Sequence, residues 1–97
     1  MKTFLVVYKG PETAPDASHE GWPQWFQRLG EHLVDRGAPL AHGCSLHHDG
    51  STGNQATPLN GYSLIQAEER EEALRLLSDH PYLSLGQEYT VEMFDIG

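Results

Sequence analysis

Chemistry in this chain has few places to reside, and the first is Asp79-His80 at the end of a Glu-rich segment, immediately before Pro81-Tyr82. An imidazole where a helix stops keeps a pKa near neutrality and can give or take a proton at pH 7. The same residue also reads as a helix-stop histidine that bonds its own last-turn carbonyls. Asp79 is adjacent and could orient the ring, although neighbouring side chains often diverge. On the first reading, His80→Ala is expected to cost about 1 kcal/mol, as a helix-end change away from the packed core, whereas a structural cap would lose several times that.

Other candidates need neighbours the sequence does not name. Alternation from Leu40 puts His42 on one strand face with Cys44, where His42 is either a second pocket group or a partly exposed strand residue. Tyr8 and Tyr62 fall at the end and the beginning of strands, with hydroxyls able to reach a ligand. Trp25, with Trp22, is at core spacing on a helix, and an aromatic that packs on one side can wall a pocket on the other. His47-His48-Asp49 resembles a metal cluster with Cys44 upstream. Consecutive strand residues point to opposite faces, however, and no second His/Cys group completes a four-ligand set, so no metal is expected. One thiol without a base placed by a motif reads as an inert cysteine. Gly53 and its neighbours do not lead a strand into a helix, so no phosphate-cradling loop is present.

Composition narrows the partners. Fourteen acidic against six basic residues give a net charge of −8, which repels phosphate backbones, and the bases form no stripe. Neither nucleic acid nor an anionic membrane is expected. The apolar run Phe4–Tyr8 is too short for a signal-peptide core or a membrane span. A single cysteine precludes an internal disulfide and points to a reducing, cytoplasmic setting. Ninety-seven residues form one domain, 1–97, able to bury roughly two-thirds of its unfolded surface.

The elements that must position these side chains follow from periodicity. Thr3–Tyr8 is a β-branched and aromatic strand stopped by Lys9-Gly10-Pro11. Residues 11–16 form a proline-rich connector. Trp22, Trp25, Phe26, Leu29 and Leu33 share one helical face, so a helix is predicted over 22–35 with Gly37 at its C-terminal cap. Its start is either a cap at Asp16 or Ser18 or a first turn containing Pro23. A second strand is predicted after Pro39, from Leu40 to about His47, followed by a turn-rich loop to Pro58. Gly61–Ala67 is the third strand. Glu68–Ser78 is a helix with a Glu71–Arg75 pair, burying Ala73, Leu76, Leu77 and His80. Tyr89–Ile96 is the last strand.

The order β-α-β-β-α-β is the ferredoxin-like plan, α+β, with a four-stranded antiparallel sheet carrying both helices on one face. The opposite sheet face would leave apolar side chains uncovered, so a homodimer is expected.

Tyr8-Lys9-Gly10-Pro11, the tryptophan-bearing helix, Gly37-Ala38-Pro39-Leu40, Gly61–Ala67 and Leu76–Pro81 together resemble the YCII-related (DGPF) domain over nearly the whole chain. The resemblance implies a dimeric α+β barrel, related to small lyases and isomerases such as muconolactone isomerase. One branch of that family has a proposed dyad, a histidine on the first helix and an aspartate before the Pro-Tyr pair. Here Trp25 stands at the first position and His80 at the second, with Asp79 one residue earlier, so the dyad is not carried over intact. The Asp-Gly-Pro-Phe segment of the other branch is also lacking, since no Pro-Phe follows Asp49-Gly50.

The expectation is a small-molecule enzyme of unassigned reaction, cofactor-free and acid–base in character, with a pocket around His80 and Trp25. A non-catalytic dimeric module that binds a small ligand or a partner is the competing class.

Overall fold

In the computed structural model, residues 1–11 and 21–97 are described. Expectations that fall on residues 12–20, including the caps at Asp16 and Ser18, lie outside them. The fold is α+β: β1 (Lys2–Lys9), α1 (Trp22–Leu29), β2 (Leu33–Pro39), β3 (Ser45–Leu46), β4 (Thr52–Gly53), β5 (Leu59–Ala67), α2 (Arg70–Leu77) and β6 (Thr90–Ile96). Short 3-10 turns cover Gly30–His32 and Pro81–Leu85.

Four strands form one antiparallel sheet in the order β2-β5-β1-β6, and β3 and β4 form a separate two-stranded hairpin. With two helices, this arrangement is compatible with the ferredoxin-like plan. Register assigns the faces. Phe4, Val6 and Tyr8 sit opposite Ile65, Ser63 and Gly61 of β5, and the last two opposite Met93 and Val91 of β6. Phe4, Val6, Tyr8, Ile65 and Ala67 form one buried cluster with Trp25, Phe26 and Leu29 of α1 and with Ala73 and Leu77 of α2, so both helices cover this face. Leu5, Val7, Tyr62, Leu64, Phe94 and Ile96 alternate onto the other face, where Phe94 is 51% and Ile96 49% exposed.

The second strand differs from the expected one. Helix α1 ends at Leu29 because Gly30, at φ +56°, turns the chain with its N–H bonded to the Gln27 carbonyl. Leu33 therefore reaches the core from a strand, opposite Ile65, although its spacing also fits a helical face. Strand β2 runs through Gly37, which is not a helix cap: at φ +78° it passes so close to β5 that a Cβ would collide with the Tyr62 carbonyl. Pro39 closes the strand instead of preceding it, which an edge strand tolerates because a missing N–H faces no neighbour. Beyond it, Leu40–Cys44 are not in a strand and His42 takes φ +56°. At the other end of α1, Pro23 lies in the first turn, with Gly21 at the N-cap.

The polar stretch after His47 closes a tight hairpin. The Asp49 carboxylate accepts from the Ser51 N–H at 2.9 Å and its hydroxyl at 2.7 Å, which holds the carboxyl below the usual range. The expected Glu71–Arg75 ion pair is absent among the described residues, whose ion pairs are Arg28–Asp79 and Arg70–Asp95. No helix of the described residues is long and apolar enough to cross a membrane.

Candidate functional site

His80 ends the turn after α2 and enters the core at 2% exposure, with no helix-end solvation. Its ring is enclosed by aromatics: centroids lie 4.1 Å from Trp25, 4.6 Å from Trp22 and 4.8 Å from Tyr8. Helix α1 delivers both tryptophans, spaced three residues apart on its inner face. Tyr8 projects from the last inward position of β1.

The polar atoms in this cluster form a chain whose directions can be worked out. Ser63 donates its hydroxyl proton to the Arg36 carbonyl at 2.7 Å. With that proton spent, the 2.8 Å contact between Tyr8 Oη and Ser63 Oγ has tyrosine as donor. Tyr8 Oη then accepts from His80, so Nε2 carries the imidazole proton across the 3.1 Å contact. The other ring nitrogen, Nδ1, accepts from the Tyr82 backbone N–H at 3.0 Å. Four bonds fix one neutral tautomer, and no buried side-chain polar atom among the described residues is left unsatisfied.

Electrostatics follow from that enclosure. Burial pushes the His80 pKa down to about 4, with the Asp79 charge opposing it weakly. Burial likewise pushes the Tyr8 hydroxyl up to about 12, against its bond to Ser63. The near-neutral imidazole expected at a helix end is thus corrected by desolvation. So is its expected capping role, because the ring caps forward onto the 3-10 turn, not backward onto α2. The cost of about 1 kcal/mol expected for His80→Ala as an acid–base group is also too small for a ring this buried, whose removal leaves a cavity and takes away the acceptor of the Tyr82 N–H.

Asp79 does not bond the imidazole. Its Oδ1 accepts from the Trp25 indole Nε1–H at 3.3 Å, and its Oδ2 pairs with Arg28 at 3.2 Å, near the surface. Those groups line a cleft of about 160 Å3 between the helices, bounded by Trp25, Arg28, Leu29, Arg75, Leu76 and Asp79. Trp25 therefore separates two environments, the polar chain through His80 and a solvent-accessible cleft. A second depression, of about 270 Å3, lies beside α2 and β6, between Arg70, Leu74, Leu77 and Met93. Neither is lined by His80.

The remaining candidates separate. Tyr8 joins His80, as does Trp25. Tyr62 is on the opposite face of the sheet, paired with Val7. His42 and Cys44 share no strand; both are exposed in the segment leading to the hairpin. No group of three His, Cys, Asp or Glu side chains among the described residues is arranged to hold a metal ion.

Sequence reasoning missed Ser63, Arg28 and Arg75. Ser63 was detectable as the one hydroxyl at an inward position of the Gly61–Ala67 alternation. The arginines carried no such signal, since each lies on the polar side of its helix and only the helix–helix approach brings them together.

No protein-family model matches the chain, and no curated protein matches it either.

Proposed function

We propose that this chain is a YCII-related protein that binds a small molecule at the cleft floored by Trp25, as a cytoplasmic homodimer of the α+β-barrel type. The observation that carries the reading is the position of Trp25, which lines the cleft on one side and packs 4.1 Å from His80 on the other. These are the two positions at which the resembling family has its proposed dyad, and they are 55 residues apart in the chain (80 minus 25). Binding, more than catalysis, is supported by the state of His80: both ring nitrogens are engaged, and a base with a pKa of about 4 is weak at neutral pH. The dimer is supported by the apolar sheet face of Leu5, Val7, Leu64, Phe94 and Ile96, a patch that a second copy would cover. The exposed thiol of Cys44 suits a reducing compartment.

Cofactor-free proton transfer is the second reading, favoured by the continuous path His80–Tyr8–Ser63–Arg36 behind Trp25. A thermal-shift screen of small metabolites on wild type and Trp25→Phe tests the first reading. A ligand at a hundredfold excess over its Kd stabilises by about 2.7 kcal/mol, and the variant should respond less. If no compound shifts the wild type, or if the variant responds equally, the Trp25 site is refuted. Turnover of any hit that survives in His80→Gln would exclude the second reading alone.

A further inference from the structure

The cleft at Trp25 also has a charge pattern. The chain carries only six Lys and Arg residues against fourteen acids, yet two of the six, Arg28 and Arg75, line this one concavity. Arg28 is held by Asp79 at 3.2 Å. The Arg75 guanidinium has no ion-pair or hydrogen-bond partner among the described residues. Apart from Asp79, the rest of the lining is apolar, formed by Leu29, Leu76 and Trp25. The volume of about 160 Å3 equals that of roughly five waters, at ~30 Å3 each. That is room for a single ring or a short branched chain.

From this arrangement we infer that the cleft binds a small carboxylate with an apolar body. The carboxylate takes the free fork of Arg75, a planar two-point match that an ammonium could not offer. The body lies on Leu29, Leu76 and the indole. Inorganic phosphate satisfies the charge but leaves the leucine walls wet, so it is the poorer ligand. Asp79 acts as a resident competitor, since its carboxylate already occupies Arg28 and repels a second anion. This inference rests on the small-molecule reading of the Trp25 site and specifies its ligand class.

The test uses the full chain at pH 7 with benzoate, its neutral isostere benzamide and inorganic phosphate, read by calorimetric titration and by tryptophan fluorescence. Benzoate should bind saturably, and benzamide and phosphate at least tenfold more weakly. Arg75→Gln should weaken benzoate tenfold or more. Asp79→Asn should strengthen it severalfold, a change in the direction that misfolding cannot produce. Benzamide binding as well as benzoate would overturn the carboxylate inference while leaving a small-molecule site. Phosphate binding as well as benzoate would reduce the cleft to a charge patch and overturn it too, as would an Arg75→Gln variant with unchanged affinity or an Asp79→Asn variant with weakened affinity. Failure of all three compounds would overturn the carboxylate inference, and the reading beneath it would fall only if the metabolite screen on wild type and Trp25→Phe were also silent.

Discussion

Acid should unfold this protein through His80. The imidazole titrates near 6.5 when unfolded and at about 4 in the fold, because burial penalises its cation. The folded pKa is the lower, so on acidification the unfolded chain takes up the proton first, and stability falls as pH falls. The contribution is intact above about pH 6.5, declines by about 1.4 kcal/mol per pH unit within the window, and is lost by pH 4. The full difference of 2.5 units, from 6.5 to about 4, corresponds to about 3 kcal/mol, most of it gone by pH 4.5. Urea unfolding of wild type and His80→Gln at pH 7.5, 6.5, 5.5 and 4.5 isolates the effect, because the other histidines and all carboxylates are common to both. The wild type should lose about 2.5 kcal/mol more than the variant between the extremes, at an unchanged m-value. A flat difference would refute the desolvated imidazole. A wild type that gained on the variant in acid would mean that the ring is protonated in the fold and held by Asp79.

Three further outcomes test the surrounding frame. Tyr8→Phe removes the acceptor of His80 Nε2–H and the donor to Ser63, so it should cost about 2 kcal/mol in urea unfolding; a loss below about 0.5 kcal/mol would mean the four-bond chain is not formed. Gly37→Ala forces a methyl against the Tyr62 carbonyl at φ +78° and should cost about 3 kcal/mol or more, whereas a neutral variant would contradict the β2–β5 approach. Phe94→Lys places a charge on the open sheet face and should turn a sedimenting dimer into a monomer with little change in its thermal midpoint; a wild type that is monomeric at micromolar concentration would remove the dimer from the proposal.

Much of the frame was legible because several elements declare themselves locally. The β-branched run at Thr3–Tyr8, the alternation of Gly61–Ala67 and the Glu-rich start of α2 each follow one period without a rival. The second strand was misread because two rules collided there. Leu33 continues the i, i+3, i+4, i+7 series of Trp22, Trp25, Phe26 and Leu29, and Pro39 normally precedes or ends an element. What decided the outcome was Gly30 at φ +56°, which turns the chain out of the helix, and the edge position of β2 beside β5. At the site, His80 and Trp25 could be paired through the resemblance. Their chemistry could not be read the same way, since the pKa of His80 depends on how many rings enclose it. The donor order through Tyr8 and Ser63 depends on a contact 55 residues apart in sequence, on which local pattern is silent. Likewise Asp79 turns outward to Trp25 and Arg28 because His80 turns inward, a divergence that adjacency alone leaves open.

A small molecule seated against Trp25 would be reported most directly by the resonance of the indole N–H. This N–H donates to Asp79 at the cleft, so a ligand there must alter its environment. Titration of the nitrogen-15-labelled chain with benzoate, followed in two-dimensional NMR, should move the Trp25 indole signal saturably, together with the Arg75 side-chain signal, while the Trp22 indole moves less. An unmoved Trp25 indole at millimolar benzoate, or equal and unsaturable drift of both indoles, would mean that benzoate does not seat against Trp25.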